Sequence, residues 1–293
     1  MSLVTRVESR ACGASRRIER LVRARARADD DARAPGHRTR TWELTYISTT
    51  RARVSKRQKQ NLRELYDAHG VRFDASFGRS GRERVHALGA LDWDEAFGSA
   101  ARSDGGERRT RVLELGCGMG DNLVRSASER RESHVFLGVD VHRPGIATCL
   151  GAIRDAGLTN ARCGEIDGLW LLRDFALERS IDECLVHFPD PWRDDTGRER
   201  KAHRRLVNPT LLKLLERALV PETGRLSVAT DDDQYARHIE RVFEEFAQPR
   251  GWVRDVPFPR FQSKYSTRAS EQGRSCVDVA FRWTGTPPNA RDA

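Results

Sequence analysis

The sequence predicts an α/β fold in which a mostly parallel sheet carries helices on both faces and ends in an antiparallel C-terminal hairpin. Three observations predict it. After Thr110, short apolar runs alternate with amphipathic ones, the pattern of strands joined by helical crossovers. Three glycines, Gly116, Gly118 and Gly120, stand directly after the first apolar run, where a strand would turn into a helix. The last two apolar runs, 252–256 and 276–283, read as a hairpin enclosing a long loop at the sheet edge.

Taken in order, the expected strands are 111–116, 134–140, 161–167, 181–188 and 224–230, short runs set between helical patterns. Helical periodicity falls between them at 120–130, 144–156, 168–178, 206–219 and 232–247, and it is best formed in the last two. Upstream, Ser55 can cap a basic helix whose stripe is Leu62, Leu65 and Tyr66 and which stops at Gly70. Residues 75–110 are rich in Gly, Ser and Arg around one apolar island, Leu91 to Phe97, and read as a connection. The expected organisation is a basic, flexible extension over 1–54, the helix and connecting region over 55–110, the main domain over 111–285, and a tail over 286–293.

The 293 residues are 38% hydrophobic, enough for one substantial core. Of the net charge of +9, the first 60 residues account for the whole excess, with 16 Lys and Arg against 6 Asp and Glu. Clustered cations suit a polyanion such as RNA, because binding releases phosphate counterions; a solvated, Arg-rich leader would look the same. No run approaches the roughly 18 apolar residues of a membrane span, and Met1 to Arg27 lacks the apolar centre of a secretory signal. The six cysteines are widely spaced with no C-x-x-C pair, which speaks against a zinc site or a disulfide framework and for reduced thiols in a cytoplasmic protein.

The sharpest local signal is Glu114-Leu-Gly116-Cys-Gly118-Met-Gly120. Glycines there allow a tight turn and close approach to a ligand, and the following helix offers free N–H groups. An acid two residues before the first glycine, with G-x-G-x-G spacing, fits S-adenosylmethionine better than a nicotinamide dinucleotide. The former brings an ammonium group and a sulfonium with no pyrophosphate, so a carboxylate beside the loop attracts it. Asp140 ends the second strand, where an acid can accept both ribose hydroxyls of an adenosyl group, which both cofactor readings use. Asp167 ends the third, near where adenine would lie, and can accept from its exocyclic amine; equally it can cap the next helix.

The fourth strand runs into His187-Phe-Pro-Asp190-Pro-Trp192. Two prolines hold one carboxylate at the C-terminal edge of the sheet, where ligands bind in open α/β folds. Methylation at guanine N7 needs no base, since N7 already presents a lone pair; it needs the reacting atoms in line. A carboxylate can orient the ring by accepting its N1–H and N2–H donors.

Together these residues resemble the bacterial tRNA (guanine-N7)-methyltransferases. LELGCGMG, FLGVDVHRPGI, FPDPW, RLSVATD and KYSTR follow in that family's order from about Ser55 to Trp283. The resemblance implies a Rossmann-like class I methyltransferase fold, S-adenosylmethionine as methyl donor, and guanosine 46 in the tRNA variable loop as target. It implies that Glu114, Asp140, Asp167 and Asp190, with Gly116, Gly118 and Gly120, form the donor site and that Asp190 is the catalytic residue. It further implies that Asp231 and the stretch Ser263, Lys264, Tyr265 and Ser266 hold the target guanosine. No obligate protein partner is expected, the protein acting as a monomer or homodimer.

Two departures from the pattern stand out. The family's T-K-[FY]-E reads Ser263-Lys264-Tyr265-Ser266, without the glutamate. After FPDPW, Arg193 to Gly197 come first, Asp194 occupies the place of a substrate lysine, and the basic cluster resumes as Arg198, Arg200, Lys201, His203, Arg204 and Arg205, of which Lys201, Arg204 and Arg205 are expected to contact the RNA substrate and the cluster to grip its phosphates. These departures keep methylation of a different RNA, or an inactive RNA-binding paralogue, as alternatives.

Overall fold

The computed structural model describes residues 53–73, 91–192, 202–262 and 264–285. Among them lies a seven-stranded sheet in the order β3-β2-β1-β4-β5-β7-β6. The strands are β1 (Thr110–Leu115), β2 (His134–Asp140), β3 (Ala161–Glu165), β4 (Glu183–His187), β5 (Arg225–Thr230), β6 (Trp252–Asp255) and β7 (Val277–Trp283). β1 to β5 are parallel; β7 pairs antiparallel with both β5 and β6. The expected fold class and hairpin are therefore what the chain forms.

The helices are α1 (Lys56–Glu64), α2 (Tyr66–His69), α3 (Trp93–Phe97), α4 (Asp121–Glu129), α5 (Arg143–Asp155), α6 (Gly168–Trp170), α7 (Pro209–Ala218), α8 (Asp233–Val242) and α9 (Lys264–Glu271). The central strands β2 and β4 are buried almost throughout because both faces of the sheet are covered there. Alternation sends Val112, Phe136 and Leu185 into a cluster with Leu123, Ile146 and Ile153 of α4 and α5. Their neighbours Leu113, Leu115, Leu137 and Val186 enter the opposite cluster with Trp93, Leu211, Leu215 and Tyr235. Glu114 shares the parity of Val112, which aims this acid at the α4 side.

Ser55 caps α1 as expected: Gln58 N–H donates to its hydroxyl at 3.2 Å, and the Gln58 side chain accepts from Ser55 N–H at 2.9 Å. Two amides then dock α1 on α5. Gln58 Nε2 donates to Pro144 O and Thr148 Oγ1, both at 3.1 Å, and buried Asn61 Nδ2 to Ala147 O at 2.9 Å.

Four expectations need correction. The helix expected over 168–178 is one short turn continued by a wider one, Leu171–Phe175, in which Ala176 N–H reaches back five residues to Leu171 O. The pattern over 232–247 likewise changes to a wider turn at Phe243–Ala247. The island Leu91 to Phe97 contains α3, started by Asp92 accepting from Asp94 and Glu95 N–H, and the loop inside the hairpin contains α9. The expected extension before Arg53, the tail from 286, Lys201 and Ser263 lie outside the described residues, as do the side chains of Lys264 and Tyr265.

Candidate functional site

The parallel strand order 3-2-1-4-5 reverses between β1 and β4, and in such sheets the crevice outside the C-terminal ends of those strands takes the ligand. The predicted acids are distributed around this point: Glu114 on β1, Asp140 at the end of β2, Asp167 just past β3, Asp190 past β4 and Asp231 past β5.

β1 leaves the sheet through a loop stitched to β2. Gly116 and Cys117 N–H both donate to Val139 O, at 2.8 and 3.1 Å, and Gly118 N–H donates to Asp140 Oδ2 at 2.9 Å. The other Asp140 oxygen accepts from His142 N–H at 2.7 Å. Asp140 therefore shapes the loop as well as facing the crevice. Gly116 and Gly118 take φ of +81° and +56°, and a Cβ at either would meet nothing within 4 Å, so the loop presents bare backbone to open space. Gly120 is required for packing, since its Cβ would sit 2.5 Å from Cys149 Sγ.

Glu114 is enclosed, 3% exposed. Its Oε1 accepts from Asn122 Nδ2 at 3.2 Å and lies 3.2 Å from His187 Nδ1, while Oε2 is buried with no partner. A buried carboxylate oxygen left unpaired is costly unless a donor or cation arrives. The acid, the bare loop and Asp140 together fit a ligand bearing an ammonium group and a ribose, as S-adenosylmethionine does. His187 and Asn122 complete this arrangement, and sequence reasoning had given neither a role. Their signal was position: one stands two residues past Gly120, the other three before Asp190.

Asp167 caps α6, its Oδ1 accepting from Leu169 N–H at 2.8 Å and Trp170 N–H at 3.2 Å. Past β4, Asp190 is exposed between Phe188 and Trp192, which take φ of +51° and +52°. Two non-glycine residues in the left-handed region bracket this carboxylate, and such conformations persist only where surroundings impose them. Those surroundings are visible: Phe188 N–H donates to Ala229 O at 2.7 Å, the Arg260 guanidinium lies over the Phe188 ring, and Arg204 covers the Trp192 ring at 3.9 Å.

Asp231 is ion-paired with Arg274, which follows α9. The pair ties the residue past β5 to the chain just beyond α9, and Arg274 was not foreseen because its partner lies 43 residues away. Ser266 is buried on α9 at 8% exposure. The irregular segment leading to α9 is tied to α4, where Phe261 N–H donates to Asn122 Oδ1 at 3.2 Å. Arg205 departs from expectation. It is fully enclosed, and its Nε donates to Pro191 O at 3.0 Å, so it does not present a cation to phosphates.

Residues 108–279 match a family model described as "putative methyltransferase". The tRNA (guanine-N(7)-)-methyltransferase of Halorhodospira halophila is 36% identical over 78% of this chain and 90% of its own length. That of Leifsonia xyli is 33% identical over 79% and 92%, and that of Stutzerimonas stutzeri 34% identical over 67% and 79%.

Proposed function

Because the chain belongs to the tRNA (guanine-N7)-methyltransferase family, we propose that it transfers a methyl group from S-adenosylmethionine to N7 of a guanosine in tRNA, at position 46 of the variable loop. The observation that carries the reading is the placement of Asp190. This carboxylate stands on a rigid Pro-Asp-Pro segment beyond β4, across the switch point from the glycine loop and the unpaired oxygen of Glu114.

In this reading residues 111–285 form the methyltransferase domain. Glu114, Gly116, Gly118, Asp140 and Asp167 hold the donor, which supplies an electrophilic methyl group on a sulfonium. Glu114 Oε2 accepts from the ammonium group, which supplies the missing partner. Asp140 accepts from the ribose hydroxyls while keeping the loop in shape through Gly118.

Asp190 then has one task. It accepts the N1–H and N2–H donors of guanine, holds N7 in line for attack and leaves every proton where it was. The charge beside the ring also increases electron density at N7, an effect that grows as positive charge develops there. Asp231, held by Arg274, and the stretch Ser263, Lys264, Tyr265 and Ser266 contact the target guanosine in this reading. Reaching the base edge requires a splayed nucleotide, for which a variable loop is suited. Lys201 and Arg204, with α1, supply cations for the phosphates.

No helix among the described residues is long and apolar enough to cross a membrane. We place the protein in the cytoplasm with its tRNA, acting as a monomer or homodimer without an obligate partner. A transcript in which guanosine 46 is replaced by adenosine tests the position: it should accept no methyl group, and undiminished labelling would move the target elsewhere.

A further inference from the structure

A guanidinium cannot shed its charge to suit a dry site, so a fully buried one is held by specific contacts. Arg205 is such a group. Its Nε donates to Pro191 O at 3.0 Å, directly after Asp190, and its guanidinium lies over the Tyr235 ring at 5.3 Å. Tyr235 is itself fully enclosed and anchored at both ends. Its N–H donates to Asp232 Oδ1 at 2.8 Å, next to Asp231, and its hydroxyl accepts from Val207 N–H at 3.0 Å. Pro191 directly follows Asp190 and Asp232 directly follows Asp231, so the contacts of Arg205 and Tyr235 link the residues next to both carboxylates.

We propose that Arg205 is a positioning residue that braces the Pro189–Pro191 segment against the first turn of α8, thereby fixing the separation of Asp190 and Asp231, and that it does not bind RNA. The proposal deepens the reading of these two carboxylates as the clamp on guanosine and rests on it. A small displacement between such groups can cost about 100-fold in turnover, whereas loss of a phosphate contact weakens binding and its salt dependence.

The test uses full-length Arg205→Lys and Tyr235→Phe beside the wild type. For Arg205→Lys the expected result is a fall in kcat of at least tenfold, with the Kd for S-adenosylhomocysteine unchanged. The slope of log Kd for tRNA against log salt should also match the wild type, whereas a lost phosphate contact would lower it by about 1. Hydrogen exchange should quicken over 186–192 while the rest of the sheet is unaltered. Tyr235→Phe keeps the ring and loses the Val207 anchor; it should lower kcat about threefold or more without touching the salt slope, and covers the case in which Arg205→Lys does not fold. Normal kcat in both variants, or a reduced salt slope with normal exchange over 186–192, overturns the proposal. Wild-type protein that methylates no tRNA would instead overturn the functional reading, and the exchange measurement would still decide whether Arg205 braces the segment.

Discussion

Glu114 and His187 stand on neighbouring strands, β1 and β4, with Oε1 and Nδ1 3.2 Å apart and both side chains almost wholly enclosed. This contact spans the switch point at which the two halves of the sheet diverge. It orients the carboxylate so that one oxygen is used within the protein and the other is left without a partner.

Glu114→Gln therefore tests the donor site with little change in shape. It can retain an acceptor for Asn122 but removes the negative charge. Affinity for S-adenosylhomocysteine should fall about 10- to 100-fold, matching the roughly 1.5–3 kcal/mol of a hydrogen bond to a charged group. Titration calorimetry reads this directly; unchanged affinity would show that Oε2 meets no ammonium group.

Asp140→Ala removes the acceptor for Gly118 and His142 N–H as well as the ribose contact. It should weaken S-adenosylhomocysteine binding by tenfold or more and quicken hydrogen exchange in 116–120. A wild-type dissociation constant would place the ribose elsewhere.

Asp190→Asn should leave the melting temperature within a few degrees, since the side chain is exposed, and lower kcat about 100-fold, or about 2.7 kcal/mol of barrier. The substituted amide still fills the space but presents a donor where the guanine edge needs an acceptor. Steady-state kinetics with saturating tRNA would refute the role if turnover were intact.

Glu183 offers a pH test remote from the site. Burial pushes its carboxyl up to about 7 despite the Arg225 guanidinium beside it. The folded protein thus holds this proton more tightly than the unfolded chain does, so the stabilisation is complete below the ordinary carboxyl pKa of about 4.5 and is lost as pH rises through about 7. Glu183→Gln should flatten that fall. Melting temperatures of the two proteins from pH 4.5 to 8 should converge or cross in favour of the variant as pH rises; a constant difference would contradict the shift.

Much of this was legible in the sequence because it depends on local signals. β2 begins and ends where the apolar run does, Ser55 caps α1, and the glycine loop declares itself by spacing. Both readings of Asp167 concern the same carboxylate, and the capping one is visible in its bonds to Leu169 and Trp170. What escaped depends on distant partners. α9 is eight residues without a long apolar stripe, so periodicity could not find it. Arg205 sits in a run of cations that reads as a solvated face, and only the packing of Tyr235 from α8 turns it inward. The Glu114–His187 and Asp231–Arg274 contacts likewise arise from strand order and chain return, which no local pattern encodes.

The most direct measurement is incubation of the purified protein with unmodified tRNA and methyl-labelled S-adenosylmethionine, followed by mass spectrometry of the nucleosides. Labelled 7-methylguanosine is the predicted product. Label in any other nucleoside, or none while S-adenosylhomocysteine is demonstrably bound, would contradict the account.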